Sequence, residues 1–215
     1  IWNYLSWIIR YSRHPEKYSI EVRYNRVRKL VLKLLKRLNV VIKGENEYLI
    51  QDNKIKMFTP NHQSLLDPLF LIALSEKPIT FVAKIEVKKQ PFVGRVMRIL
   101  DGELVDRSDL RQQLGVLKKV SKSLANNQIS WGIFPEGTRN GLEKGEKVKD
   151  GAAFFAVRTG ARVIPVGISG GEKLFHKMTI RYGKPMDFKG RSKDELDEIT
   201  EEIMDEIIKL AECKK

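Results

Sequence analysis

Hydrophobic and polar residues follow two different periods along the chain. Short apolar or alternating runs, which are typical of β-strands, lie near residues 39–43, 54–59, 79–83, 103–106, 129–134, 162–168 and 178–182. Apolar residues recur every three or four positions near 68–75, 91–100, 109–126, 150–159 and 193–211, a spacing that predicts amphipathic helices. This alternation predicts an α/β fold: a mixed, largely parallel sheet covered by helices, mixed because only a short loop separates the last two strands.

The first 38 residues have a different character. An aromatic-rich stretch, which includes Trp2, Trp7 and Tyr11, is followed by a turn at His14-Pro15 and by a leucine and valine stripe at helical spacing. Residues 10–43 hold eleven Lys and Arg against two Glu, a local charge of +9 within a formal +13 for the whole chain. Tryptophan and tyrosine beside a basic helix are typical of a segment among lipid headgroups. We therefore predict a two-helix membrane-association segment at 1–38 and an α/β domain at 39–215.

Other interpretations of residues 1–38 remain open. The apolar stripe could pack on the core of the domain, and a basic helix with aromatic residues is also typical of RNA binding or of a peptide target for a calmodulin-like partner. The sequence contains no run of about 18 apolar residues, although a start at Ile1 leaves an upstream segment open. The lone Cys213 excludes an internal disulfide and indicates a reducing compartment. We expect a peripheral or monotopic protein on the cytoplasmic face of the cell membrane.

A candidate acid–base pair, His62 and Asp67, lies between the strand that ends at Pro60 and the helical pattern that follows. On a continuous helix a five-residue step rotates by about 140°, so the two side chains would point apart. Pro68 disfavours that helix and suggests that Asp67 is its N-cap. A compact turn would let the carboxylate accept the Nδ1 proton of His62 and fix which ring nitrogen stays free. Alternatively, Asp67 only caps the helix and His62 is a surface turn residue.

A candidate anion site follows a later strand, which ends at Pro135. Gly137 allows the backbone to approach a ligand closely, and Arg139 can donate two hydrogen bonds to phosphate oxygens. Short polar donors flank the arginine, and Glu136 is expected to order the turn; these supporting residues are Glu136, Gly137, Thr138 and Asn140. An ordinary solvated loop is the alternative.

Together, the stretches 61–67 and 134–140 resemble the signature of the glycerolipid acyltransferases, most closely the bacterial enzymes that acylate lysophosphatidic acid. Residues 102–107 resemble the second block of this family, where Arg107 would help to hold the substrate phosphate. Residues 163–166 resemble the fourth block, and their internal proline suggests an edge strand or a bulge. Residues 81–86 resemble a segment of bacterial members in which Lys84 faces the phosphate. Val105 and Asn140 depart from the family pattern, which leaves substrate preference less defined.

The resemblance covers residues 40–190 and implies an α/β architecture and acyl transfer. The acyl group would pass from acyl-CoA or acyl carrier protein to the sn-2 hydroxyl of lysophosphatidic acid and give phosphatidic acid, with His62 as general base oriented by Asp67. We expect no metal or bound cofactor, no nucleic-acid partner, and contact with an anionic membrane surface. The alternatives are another lysolipid or glycerol 3-phosphate as acceptor, a thioesterase, and a basic membrane or RNA-binding protein without activity.

Overall fold

The computed structural model describes residues 2–106, 108–137, 148–170 and 177–212. Every predicted strand and helix is present near its expected position. The strands are β1 (Val41–Glu45), β2 (Lys56–Pro60), β3 (Ile79–Lys84), β4 (Glu103–Val105), β5 (Ser130–Gly132), β6 (Arg162–Ser169) and β7 (Lys177–Tyr182). The helices are α1 (Trp2–Arg13), α2 (Ile20–Arg37), α3 (Asp67–Leu74), α4 (Pro91–Ile99), α5 (Leu110–Ala125), α6 (Gly151–Thr159) and α7 (Leu196–Glu212).

All seven strands form one sheet in the order β1-β7-β6-β2-β5-β3-β4. Strands β6, β2, β5, β3 and β4 are parallel to one another, whereas β7 is antiparallel to β6 and β1 is parallel to β7. The sheet is therefore mixed and largely parallel, as the sequence predicted. Because five parallel strands end at one edge, the loops that follow β2, β3, β4 and β5 all lie on the same side of the molecule.

The edge or bulge suggested by Pro165 is not found. This residue lies in β6, which pairs with β2 on one side and with β7 on the other. Proline is tolerated here because the paired stretch with β7 begins only at Val166, so Pro165 lies just beyond the end of that ladder. Its carbonyl still accepts a hydrogen bond from the backbone N–H of Gly183 at 2.8 Å.

Helices cover both faces of the sheet, and each face has its own apolar cluster. Helices α1 to α4 contribute to the first cluster, and α5 to α7 contribute to the second. Adjacent strand residues point to opposite clusters: Met57 belongs to the second and Phe58 to the first. The fold is thus a three-layer α/β/α arrangement.

The N-terminal helices pack on this domain. In α2 the apolar stripe is buried, and Val27, Val31 and Leu35 belong to the same cluster as the strands. Of the alternatives for this segment, packing on the core is therefore realised, while the division at residue 38 and the membrane role stay predictions. No helix within the described residues has the length and apolar character needed to cross a bilayer.

An ion pair joins α2 to the turn between α4 and β4, with the arginine buried and its partner Asp101 about half exposed. Arg23 is only 5% exposed. Its guanidinium donates to both carboxylate oxygens of Asp101, at 2.8 and 2.7 Å, and to the carbonyl of Ile99. Two parallel hydrogen bonds to one carboxylate hold the partners in a fixed orientation. The second helix of the N-terminal segment is therefore attached to the domain by this ion pair as well as by its apolar stripe.

Candidate active site

The turn that carries the candidate base begins where β2 ends. Asn61 is buried and extends the pairing between β2 and β6 with its side chain: Nδ2 donates to the carbonyl of Ile168 at 2.9 Å, and Oδ1 accepts from the N–H of Ile168 at 2.7 Å. Its own N–H donates to the carbonyl of Val166 at 3.3 Å. The first residue of the turn is therefore fixed to the middle of the sheet.

The next residue forms the contact that the spacing predicted. Nδ1 of His62 lies 2.9 Å from Oδ2 of Asp67. The Asp67 side chain is fully buried, whereas that of His62 remains 19% exposed. The carboxylate favours the tautomer with a proton on Nδ1, which leaves Nε2 as the ring nitrogen that does not face Asp67. The histidine is thus a mostly buried, oriented residue and not a surface turn residue.

The predicted N-cap role of Asp67 is wrong. Leu66 occupies the N-cap position, and Asp67 is the first residue of α3. Its Oδ2 accepts instead from residues upstream, the backbone N–H groups of Gln63 at 2.7 Å and of Ser64 at 2.8 Å. The carboxylate therefore holds the turn from residue 62 to residue 67 closed. The same oxygen that faces the imidazole accepts hydrogen bonds from two backbone N–H groups of this turn. Its other oxygen, Oδ1, is buried without a hydrogen-bond partner among the described residues.

The two candidate blocks meet through Glu136 and Phe134. The backbone N–H of His62 donates to Oε1 of Glu136 at 2.9 Å, and Glu136 is only 5% exposed. The ring of Phe134 packs against the imidazole with 4.4 Å between ring centroids. His62 and Glu136 are 74 positions apart in the sequence, and they meet because β5 lies beside β2 in the sheet. Sequence reasoning expected Glu136 to order only its own turn and did not find this contact.

The described part of the candidate anion site has the backbone that a close turn requires. Gly137 has a φ of 63°, in the left-handed region that glycine adopts without strain. Its N–H donates to the carbonyl of Phe134 at 3.0 Å. The predicted residues Thr138, Arg139 and Asn140 lie outside the described residues, and so does Arg107.

Lys84 is the last residue of β3, and it is half-buried at the edge where the parallel strands end. Its ammonium forms no hydrogen bond or ion pair with the residues that the structure describes. Beside it, β4 ends immediately before Asp106, whose Oδ1 accepts from both the N–H and the hydroxyl of Ser108, at 2.9 and 2.6 Å. These hydrogen bonds hold the pKa of Asp106 below its ordinary value. The described ends of β3 and β4 therefore place a lysine and an ordered loop next to each other.

Cavity size does not identify the site. A cavity of about 640 Å³ opens at the opposite edge, where β2 and β5 begin, between residues such as Arg28, Lys54 and Ser130. It is far from the histidine and contains no part of the two candidate blocks. In the described ranges no three His, Cys, Asp or Glu side chains are grouped closely enough to hold a metal ion. The chemistry available at the strand ends is that of an oriented imidazole, a buried carboxylate and basic side chains.

Comparison with known proteins gives consistent relatives. The 1-acyl-sn-glycerol-3-phosphate acyltransferase of Saccharomyces cerevisiae is 28% identical over 189 residues, which are 83% of this chain and 61% of that protein. A probable 1-acyl-sn-glycerol-3-phosphate acyltransferase of Mycoplasma pneumoniae is 32% identical over 169 residues, 74% of this chain and 61% of that protein. The chain thus spans about three fifths of the length of these curated relatives.

The fold also has a solved counterpart. The crystal structure of PlsC, the 1-acyl-sn-glycerophosphate (LPA) acyltransferase of Thermotoga maritima, matches with a TM-score of 0.68 and 26% identity, over 99% of this chain and 90% of that one. The sequence model of the family described as Acyltransferase matches residues 41–169, a range that includes the His62–Asp67 turn and Glu136. The chain belongs to the acyltransferase family.

Proposed function

We propose that this chain transfers a fatty acyl group from acyl-CoA or acyl carrier protein to the sn-2 hydroxyl of lysophosphatidic acid and so forms phosphatidic acid. Family membership and the printed activities of the relatives support this reaction. The observation that carries the proposal is the buried contact between His62 and Asp67 at the strand-end edge of the sheet. It provides an oriented base, which is the group that the proposed reaction requires.

In the proposed reaction, Nε2 of His62 takes the proton of the acceptor hydroxyl. The hydroxyl oxygen attacks the thioester carbonyl, the tetrahedral intermediate collapses with loss of the thiolate, and the histidine returns the proton to the sulfur. Asp67 stabilises the imidazolium that exists between these two proton transfers. General base catalysis of this kind contributes about 10² to 10⁴ in rate. The acceptor alcohol is itself the nucleophile, so the enzyme forms no covalent intermediate.

Basic residues would hold the phosphate of the acceptor. We assign this role to Arg139 and Arg107, with Lys84 as a third contact. The assignment of Lys84 is supported by its place at the end of β3, because β3 lies beside β5 and both strands end at the edge that carries His62. Fixing the phosphate would hold the sn-2 hydroxyl beside the base, and such orientation can supply about 7 to 11 kcal/mol of the barrier.

A membrane location suits the lipid acceptor and the lipid product of this reaction. Lysophosphatidic acid and phosphatidic acid are amphiphiles, so a site at the bilayer surface would let them enter and leave through lipid. The basic N-terminal helices supply a surface for this attachment. Each basic residue close to an anionic bilayer contributes about 1 kcal/mol before screening.

The histidine gives the decisive test. The wild-type chain is assayed in nonionic-detergent micelles with radiolabelled acyl-CoA or acyl carrier protein and with lysophosphatidic acid, and the labelled lipids are separated. We expect label in phosphatidic acid, and a loss of about 10² to 10⁴ in turnover for His62→Ala. His14→Ala is the matched control, because His14 is exposed in a turn of the N-terminal segment. Turnover by folded His62→Ala near the wild-type rate would contradict the role of this residue as base.

The same assay separates the alternative reactions. Release of free fatty acid, with no labelled phospholipid, would identify a thioesterase, and preferred labelling of glycerol 3-phosphate or of another lysolipid would change the acceptor. Arg139→Ala is expected mainly to raise the KM for lysophosphatidic acid, because it removes one of the proposed phosphate contacts while Arg107 and Lys84 would still orient the bound acceptor. An unchanged KM would remove Arg139 from the phosphate site.

A further inference from the structure

Two helices expose large apolar side chains at the edge where the parallel strands end. In the first turn of α4, Phe92 and Val93 are 46% and 38% exposed. In α5, Leu110 and Leu114 are 69% and 57% exposed, and their spacing of four residues places them on one face of the helix. Single exposed apolar residues are ordinary, but groups of them at one edge mark an interaction surface.

The topology brings these two helix starts together. Strands β3 and β4 are parallel neighbours with Lys84 opposite Val105, so the segments that follow them leave the sheet side by side. The turn after β3 and the loop after β4 line one shallow groove, which includes Lys88, Lys89 and Ser108. Gln112 ties the first turn of α5 to the end of β4, because its Oε1 accepts the N–H of Asp106. The exposed apolar residues therefore lie on helices that begin on either side of this groove, α4 over one face of the sheet and α5 over the other, and together they form its rim.

The rim is basic as well as apolar. Residues 84–98 and 106–114 contain seven Lys and Arg against three Asp and Glu. Four of the exposed cations form no ion pair with the described residues, namely Lys88, Lys89, Arg95 and Arg111. Apolar side chains between unpaired basic ones are the composition that binds an anionic lipid surface.

We propose that this docking rim, formed by Lys88, Lys89, Phe92, Val93, Arg95, Leu110, Arg111 and Leu114, inserts its apolar side chains into an anionic bilayer and turns the strand-end edge toward the lipid. Contact through the rim is additional to any contact through α1 and α2. The bilayer is favoured over an acidic protein because α1 packs directly against α4, so the rim continues the surface of the basic N-terminal segment. The inference rests on the proposed function in that the acceptor and the product of the reaction are amphiphiles.

The test compares vesicle binding with activity in detergent. The full chain is floated with vesicles of phosphatidylglycerol and phosphatidylcholine, and with phosphatidylcholine vesicles alone. We expect Phe92→Ser/Val93→Ser and Leu110→Ser/Leu114→Ser each to lower partition into the anionic vesicles at least about tenfold. Turnover in detergent micelles should stay at the wild-type level, because none of these residues belongs to the proposed site. Tyr48→Ser is the matched control, since Tyr48 is 70% exposed and follows β1 at the opposite edge.

Charge reversal gives a second readout. Lys88→Glu/Lys89→Glu/Arg111→Glu should abolish the preference for anionic over neutral vesicles, whereas Lys54→Glu at the opposite edge should leave it intact. Wild-type partition of all rim variants into the anionic vesicles would overturn the inference. If these variants had at the same time lost acyl transfer from acyl carrier protein but kept transfer from acyl-CoA, the rim would instead be assigned to contact with an acidic protein. Failure of the proposed function is distinguishable: the wild-type chain would then bind vesicles through the rim but transfer no acyl group.

Discussion

Replacement of Asp67 by asparagine tests the site most directly, because it removes one charge and changes the shape of the turn little. The side-chain oxygen of Asn can still accept from the backbone N–H groups of Gln63 and Ser64, which now bond to Oδ2 at 2.7 and 2.8 Å. Hydrogen bonds to a charged acceptor are about 1 kcal/mol stronger than neutral ones. Relief of the buried charge offsets part of this loss, so we expect Asp67→Asn to lower the free energy of unfolding by about 1–2 kcal/mol.

The effect on catalysis should be much larger. In the imidazolium formed during transfer, Nδ1 lies 2.9 Å from Oδ2 of Asp67. The positive charge is spread over the ring, whose far atoms are about 5 Å from the same oxygen. At an effective dielectric constant of about 20, one carboxylate at these distances stabilises it by about 3–6 kcal/mol. The loss of that interaction corresponds to a fall in kcat of about 10² to 10⁴. The KM for the acceptor should change little, because the imidazolium is absent from the ground state.

The assay measures kcat and KM in detergent micelles at a temperature where thermal unfolding shows the variant to be folded. Asp187→Asn serves as the control, since Asp187 also accepts a backbone N–H, that of Lys189 at 2.9 Å, but lies on an exposed turn outside the site. Its kcat should equal that of the wild type. A folded Asp67→Asn variant with kcat within about threefold of the wild type would show that the carboxylate does not stabilise a charged histidine in the transition state.

Three further predictions concern other parts of the molecule. Glu136→Gln should lower kcat by about tenfold while folding is retained, because a neutral amide oxygen accepts the His62 N–H less strongly than a carboxylate oxygen does. An unaltered kcat would show that Glu136 orders only its own turn and does not help to position His62. Hydrogen bonding to Lys56 lowers the pKa of Asp52 from 3.8 to about 2. The pKa of Asp52 is lower in the folded than in the unfolded chain, so its contribution to the free energy of unfolding is complete above pH 3.8 and is lost as the pH falls toward 2. In urea unfolding, the free energy of unfolding of Asp52→Asn should therefore depend less on pH between these values than that of the wild type, and an equal dependence would exclude the linkage. Gly167→Ala should destabilise the fold by about 1–3 kcal/mol in the same unfolding assay, because its Cβ would meet the backbone of α7, and wild-type stability would mean that α7 shifts freely.

Local features of the site were predictable from the sequence, whereas contacts between distant segments were not. The bend between His62 and Asp67 followed from the proline after Asp67, because the backbone preference of a residue before proline is a local property. The direction of the Asp67 carboxylate was mistaken, since a capping position and a turn-closing position place the same residue type before the same proline. Only the arrangement of the backbone donors of Gln63 and Ser64 distinguishes them.

The contact of Glu136 with His62 depends on strand order. Chain order does not specify that β5 lies directly beside β2, with β3 inserted on the far side of β5. The same limitation explains Pro165: a proline in an apolar strand indicates an edge when the neighbours are unknown, but β7 pairs with β6 only beyond this residue. Predictions from periodicity therefore located the elements well, and the errors arose where two elements meet.

The ion pair of Arg23 limits how the N-terminal segment can act at a membrane. A helix that swings away from its domain would have to break the hydrogen bonds of the Arg23 guanidinium to Asp101 and to the carbonyl of Ile99, and it would expose the buried apolar stripe of α2 to water. The segment is consequently expected to move with the domain as one body. In the proposed membrane-bound state, a tilt of α2 against the lipid would therefore tilt the sheet as well, and the height of the imidazole above the headgroups would be set by the folded geometry.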